Sequence, residues 1–349
     1  MNRKNLSETE LLSLILGTIQ ARERILEKGI GDDCAVLRLP GRKRPLLFTT
    51  DILNEEVHFR QEWTTPFLLG YKALVVNQSD IAAMGGRPLV FVVNLAFSKG
   101  TTAGFVKEFY QGLDLAARRY GGALAGGDLS RSAKGINLSI AMLGETSGHR
   151  PILRSSARPG DILCVAGYLG LSSIGLKLLS AGYKSARRIG CQVRQGAANL
   201  PNSKSQWIVR CVRAHLAPEP MLRIAQYLSR YKFPTAMMDV SDGLSIDLWR
   251  MCQASGTGSL IERNTLPGCP FVLIDKHEQE HSILHGGEDY ALLFTLPRET
   301  APGILDMLQK RSSFPIVPIG VMTADKGRIL LSDQGRREPL PICGYDHFA

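Results

Sequence analysis

The chain has 349 residues, of which 44% are hydrophobic, and a formal net charge of +10. This length is sufficient for two domains with substantial cores, and no stretch approaches the roughly 20 consecutive apolar residues of a membrane span. Seven scattered cysteines without a C-x-x-C pair indicate neither a disulfide framework nor a zinc site, which favours a reducing, cytoplasmic setting.

The first predicted element is a helix over Leu11–Ile19. Ser7 and Glu10 fit a capping box at its start, and the segment lacks the basic leader and cleavage site of a targeting peptide. The following apolar patterns predict alternating strands and helices in the first half. The predicted strands are Cys34–Leu39, Pro45–Thr50, Leu89–Phe97 and Ile136–Leu143, and the predicted helices are Pro66–Met84 and Phe105–Tyr120.

A domain boundary is predicted near Gly148–Gly160, which gives an N-terminal domain over residues 1–150 and a C-terminal α/β domain over 151–349. The second half again combines both kinds of element. Its predicted strands are Asp161–Ala166, Thr235–Val240, Ser259–Glu262, Tyr290–Thr295 and Ile316–Val321, and its predicted helices are Ser172–Ala181, Pro220–Tyr231, Leu244–Ser255 and Ala301–Lys310.

Much of the positive charge is local. Between Lys184 and Pro218 there are seven Lys or Arg residues and no Asp or Glu. The glycine and polar residues of this stretch predict a flexible, solvated insertion over residues 184–213. A nucleic-acid-binding patch is the alternative, although aromatic residues within the stretch are limited to Trp207.

Six short acidic turns beside Gly, Ser or Thr carry the functional prediction. They are Gly31–Asp33, Thr49–Asp51, Ser79–Asp80, Gly126–Asp128, Asp239–Gly243 and Gly286–Asp289. Converging carboxylates repel one another unless cations lie among them, and Mg²⁺ combines carboxylates with water and phosphate oxygens. The segments therefore predict a magnesium-dependent nucleotide site. Neither a phosphate-binding loop of the G-x-x-x-x-G-K-[ST] type nor protein-kinase motifs are present.

Four further segments accompany these motifs: His58-Phe59, Lys72-Ala73, the run from Asn77 to Gly85 and the ending Gly344–Phe348. Together they resemble the thiamine-monophosphate kinase family over nearly the whole chain. The resemblance implies the two-domain α/β (α+β) fold of aminoimidazole ribonucleotide synthetase. In that fold residues 1–150 form the ATP- and Mg²⁺-binding and dimerisation domain, whose sheet pairs across a homodimer. The resemblance also implies direct, in-line phosphoryl transfer from ATP to thiamine monophosphate, the last step of thiamine diphosphate biosynthesis, with several Mg²⁺ ions.

The same resemblance implies roles for individual residues. The implied Mg²⁺ ligands are Asp33, Thr49, Thr50, Asp51, Asp80, Asp128, Asp239 and Asp242. The implied ATP contacts are Gly127, Asp128, Arg154, Ser241 and Tyr110, the implied thiamine-phosphate contacts are His58 and Glu288, and Asp51, Arg154 and Asp242 are the implied catalytic residues.

Some of these residues have simpler interpretations. A packing or capping role is the less favoured alternative for His58, and a solvated linker position is the less favoured one for Arg154. Asp32 and Asp289 are compatible with turns or with supporting the metal ligands. The sequence departs from the family at Ile342, where some members carry an aromatic residue, and Tyr345 is the nearest substitute.

Three other functions are weighed against this one. Selenophosphate synthetase requires a reactive Cys or selenocysteine that the N-terminal region lacks, and the hydrogenase-maturation relatives end in a carrier cysteine, whereas Cys343 precedes six further residues. A nonenzymatic nucleic-acid-binding protein would use the basic insertion, but six acidic segments would repel a phosphate backbone. The sequence therefore favours a small-molecule kinase without membrane or nucleic-acid partners.

Overall fold

The computed structural model describes residues 8–18, 23–195, 203–345 and 347. Helix α1 spans Glu8–Thr18 and confirms the first predicted helix, whereas Ser7 of the predicted capping box and Ile19 lie outside the described residues. Within the described ranges, no helix is both long enough and apolar enough to cross a membrane.

The N-terminal half contains one six-stranded sheet with two long helices. Its elements are β1 Leu26–Lys28, β2 Ala35–Leu37, β3 Leu46–Asn54, α2 Pro66–Ala83, β4 Gly86–Phe97, α3 Ala103–Tyr120, β5 Ala123–Arg131 and β6 Asn137–Thr146. The strand order is β1-β2-β3-β6-β4-β5, and only the β4–β5 pair is parallel. The sheet is thus mostly antiparallel, as in an α+β domain.

Helix α2 is buried on nearly every side, which fits its almost continuous apolar sequence. Thr65 caps it by accepting the N–H of Leu68, and Pro66 occupies the first turn, where its missing N–H costs nothing. Helix α3 approaches α2 closely because two glycines, Gly70 and Gly112, lie at the crossing.

The opposite face of the sheet is open. On β3, Thr49 points to the core side while Phe48 and Ile52 point to the open side, where they are 45% and 54% exposed. Val90 on β4 adds a further exposed apolar side chain. Such a cluster on an antiparallel sheet is typical of a surface covered in an assembly.

The C-terminal half contains a seven-stranded sheet surrounded by helices. Its elements are a 3₁₀ turn at Arg154–Ser156, β7 Ile162–Ala166, α4 Leu171–Ser180, α5 Ala186–Gln195, α6 Lys204–Leu216, α7 Leu222–Tyr231, β8 Met237–Val240, α8 Leu244–Ser255, β9 Gly258–Glu262, α9 Lys276–His285, β10 Ala291–Leu296, α10 Ala301–Gln309, β11 Ile316–Thr323, β12 Ile329–Asp333 and β13 Arg336–Pro339. The strand order is β13-β12-β9-β11-β7-β10-β8, in which only β9 and β12 are parallel.

Most predicted elements are confirmed within a few residues, but two predictions are wrong. The basic segment 184–213 is not a flexible loop, because α5 and α6 form most of its described part and bury Ile189, Val193, Trp207 and Cys211. Three of the six predicted acidic turns lie instead in regular elements, namely Thr49–Asp51 in β3, Ser79–Asp80 in α2 and Gly126–Asp128 in β5.

Candidate active site

The acidic residues of the two halves meet at helix α2. Ser79 donates a hydrogen bond to Oδ2 of Asp239 at the end of β8, at 2.5 Å, and the next residue, Asp80, accepts one from the Thr49 hydroxyl of β3, also at 2.5 Å. Two adjacent positions on one helix therefore connect a strand of each sheet. Asp51 lies two residues after Thr49, on the same face of β3.

Arg154 is part of this cluster and not a solvated linker residue. Its Nη2 atom donates to Oδ1 of Asp33 at 2.5 Å, and its Nε atom lies 3.5 Å from Oδ1 of Asp32. The Arg154 side chain is only 14% exposed. The guanidinium is thus held between two buried carboxylates.

The positively charged side chains of the protein do not neutralise all the carboxylates of this cluster. Burial raises the pKa of Asp33 to about 8 despite Arg154, that of Asp239 to about 7 and that of Asp51 to about 6. Burial also raises the pKa of Asp80 well above its usual range, and Asp51 and Asp239 add to this effect. The buried Oδ2 atoms of Asp32 and Asp33 have no hydrogen-bond partner among the residues that the structure describes.

Oxygen donors with unsatisfied buried negative charge suit a hard divalent cation. Among the described residues, no three His, Cys, Asp or Glu side chains converge closely enough to hold a metal ion by themselves. Because Mg²⁺ is usually bound through one or two carboxylates plus water and substrate phosphates, the residues fit a site that a phosphorylated substrate completes.

Asp242 is fixed by two residues that the sequence did not single out. Asp247, fully buried in the first turn of α8, accepts the N–H groups of Ser241, Asp242 and Gly243 at 3.1, 3.0 and 3.1 Å. Arg250 forms ion pairs with both Asp242 and Asp247. The sequence did contain a signal for Asp247, because this acidic residue lies in the first turn of a helix that directly follows an Asp-Gly turn.

Glu288 is the centre of a second charged group. One carboxylate oxygen lies 2.7 Å from Lys72 Nζ of α2, and the other lies 3.1 Å from His215 Nδ1 of α6. Burial alone would raise the pKa of Glu288, but Lys72 and His215 outweigh it and hold that pKa below its ordinary value. Glu288 is therefore an anion, and the sequence assigned no role to either partner.

His58 has both a local and a site contact. Its Nδ1 atom accepts the N–H of Asn54 at 3.0 Å, which is the capping role considered above. Its ring lies 5.0 Å from that of His347, which in turn packs edge-on against Tyr345. Burial lowers the pKa of His58, with His347 contributing, so the ring tends to stay neutral.

Several predicted residues are not brought to this cluster. Thr50 lies on the open face of β3, and Asp128 shares that face because it pairs with the exposed Asn94 of β4. Gly127 packs so closely on β4 that a Cβ would lie 1.9 Å from the carbonyl oxygen of Val93. Tyr110 lies on α3, edge-on to Phe109.

Asp289 has the turn role given as its simpler interpretation. Its carboxylate accepts the N–H groups of Gly170 and Ser172 and so caps the start of α4, although burial raises its pKa to about 7. This interaction anchors the segment that carries Glu288 to the start of α4.

Comparisons with known proteins agree with this arrangement. Residues 31–146 match the N-terminal domain model of AIR synthase related proteins, and residues 158–332 match the C-terminal one. The thiamine-monophosphate kinase of Synechococcus elongatus is 32% identical over 98% of this chain and 97% of its own length, and that of Escherichia coli K12 is 33% identical over 98% of each chain. The chain belongs to the thiamine-monophosphate kinase family.

Solved structures of this family have the same fold. The structure described as AaThiL complexed with AMPPCP and TMP covers all of both chains with a TM-score of 0.76 at 29% identity. The thiamine-monophosphate kinase of Stenotrophomonas maltophilia K279a gives a TM-score of 0.71 at 29% identity and covers 90% of this chain and 93% of its own. The predicted family and two-domain fold are confirmed.

Proposed function

We propose that this protein transfers the γ-phosphoryl group of ATP to thiamine monophosphate, giving ADP and thiamine diphosphate. The observation that carries the proposal is the buried acidic cluster at the junction of the two halves, in a chain whose full-length relatives are thiamine-monophosphate kinases. A cytoplasmic location is part of the proposal, and the free thiol state of all seven cysteines supports it.

In the proposed site, Mg²⁺ would be held by Asp33, Thr49, Asp51, Asp80, Asp239 and Asp242. When bound, Mg²⁺ neutralises the phosphates of donor and acceptor, which otherwise repel each other. Thr50, Gly127, Asp128 and Tyr110 are left outside this set because of the positions described above.

The protein's own groups then have limited tasks. The acceptor is a phosphate oxygen that is already anionic near neutral pH, so the reaction needs positioning and charge neutralisation and no strong general base. Arg154 fixes Asp33 and adds positive charge beside it. Ser241, whose N–H donates to Asp247, is proposed to contact the nucleotide.

His58 and Glu288 are proposed to contact thiamine monophosphate. Ile342 offers no aromatic ring, so we assign ring stacking to Tyr345, which reaches His58 through His347. Tyr345 is half exposed and its N–H donates to the carbonyl of Asp242 at 3.1 Å, which holds this segment against the acidic turn.

We also propose a homodimer in which the open face of the N-terminal sheet is covered by that of a second copy. The exposed apolar side chains of β3 and β4 support this arrangement.

The test is ADP release from ATP and Mg²⁺ with thiamine monophosphate, thiamine or aminoimidazole precursors as the acceptor. We expect turnover only with thiamine monophosphate, and a loss of at least about 100-fold in Asp51→Asn and Asp242→Asn. Asp114→Asn is the control, because Asp114 is exposed on α3 and pairs only with Arg118 in the contacts described. Turnover with another acceptor alone would reject the substrate assignment.

A further inference from the structure

The basic helices α5 and α6 enclose a cavity that the proposed reaction does not use. Its volume is about 440 Å³, within the range of small-molecule sites. Helices α4, α5 and α6 and the loops around Tyr168, Glu219 and Phe314 form its walls.

Helix α6 separates this cavity from the acceptor side of the active site. Arg210 and Arg213 line the cavity, whereas His215 contacts Glu288 and Ser172. Arg210 and Arg213 are three positions apart and lie on one face of α6, whereas His215, five positions after Arg210, points away from that face. The cavity is therefore a different site from that of Glu288.

The cavity has an excess of arginine. Arg188, Arg210 and Arg213 line it, while its carboxylates are Glu219, which pairs with Arg213 at 2.7 Å, and Asp289, which caps α4. Neither Arg188 nor Arg210 has an acidic partner within hydrogen-bonding distance in the described part of the chain. Two cationic groups are thus available to an anion.

Aromatic rings, and not a hydrogen-bonded carboxylate, hold the side chain of Arg210 in place. Its guanidinium carbon lies 4.5 Å from the ring centre of Tyr168, 5.6 Å from that of Trp207 and 5.7 Å from that of Phe314. Burial lowers the pKa of Arg210 by removing water from the cation, and Glu219 and Tyr168 offset this effect only in part. An anion entering the cavity would meet a desolvated, oriented guanidinium and regain that lost stabilisation.

From this juxtaposition of arginines and aromatic rings we infer that the cavity is a second ligand site, which binds a phosphorylated planar heteroaromatic molecule. Arg188 and Arg210 bind its phosphate, and Tyr168 and Phe314 contact its ring. The inference concerns binding alone and stands independently of the proposed reaction. ADP and thiamine diphosphate share the required chemistry, so both are tested.

The experiment is calorimetric titration of the full chain in EDTA, where the acidic cluster lacks metal and repels phosphates. The probes are ADP, thiamine diphosphate and inorganic pyrophosphate. We expect ADP or thiamine diphosphate to bind with one site per chain and at least about tenfold more tightly than pyrophosphate, since stacking adds to the charge interaction. Whichever of ADP and thiamine diphosphate binds more tightly identifies the kind of molecule that this site takes.

We expect Arg210→Met and Arg188→Met each to weaken this binding about tenfold or more. Arg188 is exposed, so its replacement leaves the fold intact even if Arg210→Met does not. Arg311→Met is the matched control, because Arg311 also lies over an aromatic ring, that of Tyr227, but outside the cavity. Binding no tighter than that of pyrophosphate, or undiminished in both cavity variants, would overturn the inference.

Discussion

Lys72 and Glu288 form an ion pair of 2.7 Å that joins the N-terminal helix α2 to the C-terminal half, with the lysine side chain only 5% exposed. The pair forms because α2 is buried between the two sheets and Glu288 follows the glycine pair Gly286–Gly287. His215 contacts the other carboxylate oxygen, so three distant parts of the chain meet at one group.

Replacing Glu288 by Gln should leave Lys72 buried without its counter-charge. We expect a loss of about 3 kcal/mol in the free energy of unfolding, measured by urea denaturation. The double variant Lys72→Met/Glu288→Met removes both charges and should recover most of that loss. Equal destabilisation by the single and double variants would show that the ion pair is not the cause.

Replacing Asp247 by Ala should release the turn that carries Asp242. Three backbone N–H groups lose their acceptor, so we expect about 3 kcal/mol of destabilisation together with a lower kcat. Asp306→Ala, at an exposed position paired with Lys310, is the control and should change stability by less than about 0.5 kcal/mol. An Asp247→Ala protein with normal activity would show that the turn does not need this carboxylate.

The metal-free protein should lose stability as the pH rises. The pKa values of Asp51, Asp239 and Asp33 are raised to about 6, 7 and 8, above the unfolded value near 3.9, so the folded state binds more protons between these limits. The contribution of these groups to stability is therefore full below about pH 4 and declines through pH 6 to 8.

In EDTA we expect Tm to fall by about 3 °C or more between pH 6 and pH 8, and Mg²⁺ to reverse the fall. Asp239→Asn should reduce the slope because one of the titrating groups is removed. A Tm that rises over this pH range in EDTA would contradict the raised pKa values.

Gly112 on α3 should not tolerate a methyl group. A Cβ there would lie 1.8 Å from the carbonyl oxygen of Phe67, so Gly112→Ala must separate α3 from α2, at a cost of about 2 kcal/mol or more. Gly104→Ala, in the same helix but with its nearest neighbour 3.6 Å away, should be neutral or stabilising. Thermal unfolding of both variants decides whether helix contact or helix propensity dominates.

Ile52 should be covered in the proposed homodimer. Ile52→Glu places a charge on the open face of the sheet and should shift the protein to a monomer in analytical ultracentrifugation. Val272→Glu, at a similarly exposed apolar position in the C-terminal half, should leave the oligomeric state unchanged. A wild-type protein that sediments as a monomer would reject the dimer.

The sequence by itself determined the family, most of the strands and helices outside the basic segment, and the chemistry of the acidic residues. These features are local, since a glycine or hydroxyl residue beside an aspartate and an apolar periodicity can be read without knowing which segments meet. Asp33, Asp51, Asp80 and Asp239 were all identified in this way, and the structure places them at one junction.

Only the tertiary structure decided which side of a strand each residue faces and which distant groups pair. Thr50 and Thr49 are neighbours in sequence, yet the pleat of β3 sends one to the open face and the other to Asp80. The partners of Glu288 lie more than seventy residues away along the chain, on helices α2 and α6. The basic segment looked solvated because its charges dominate its composition, whereas packing of its few apolar residues fixed it as two helices.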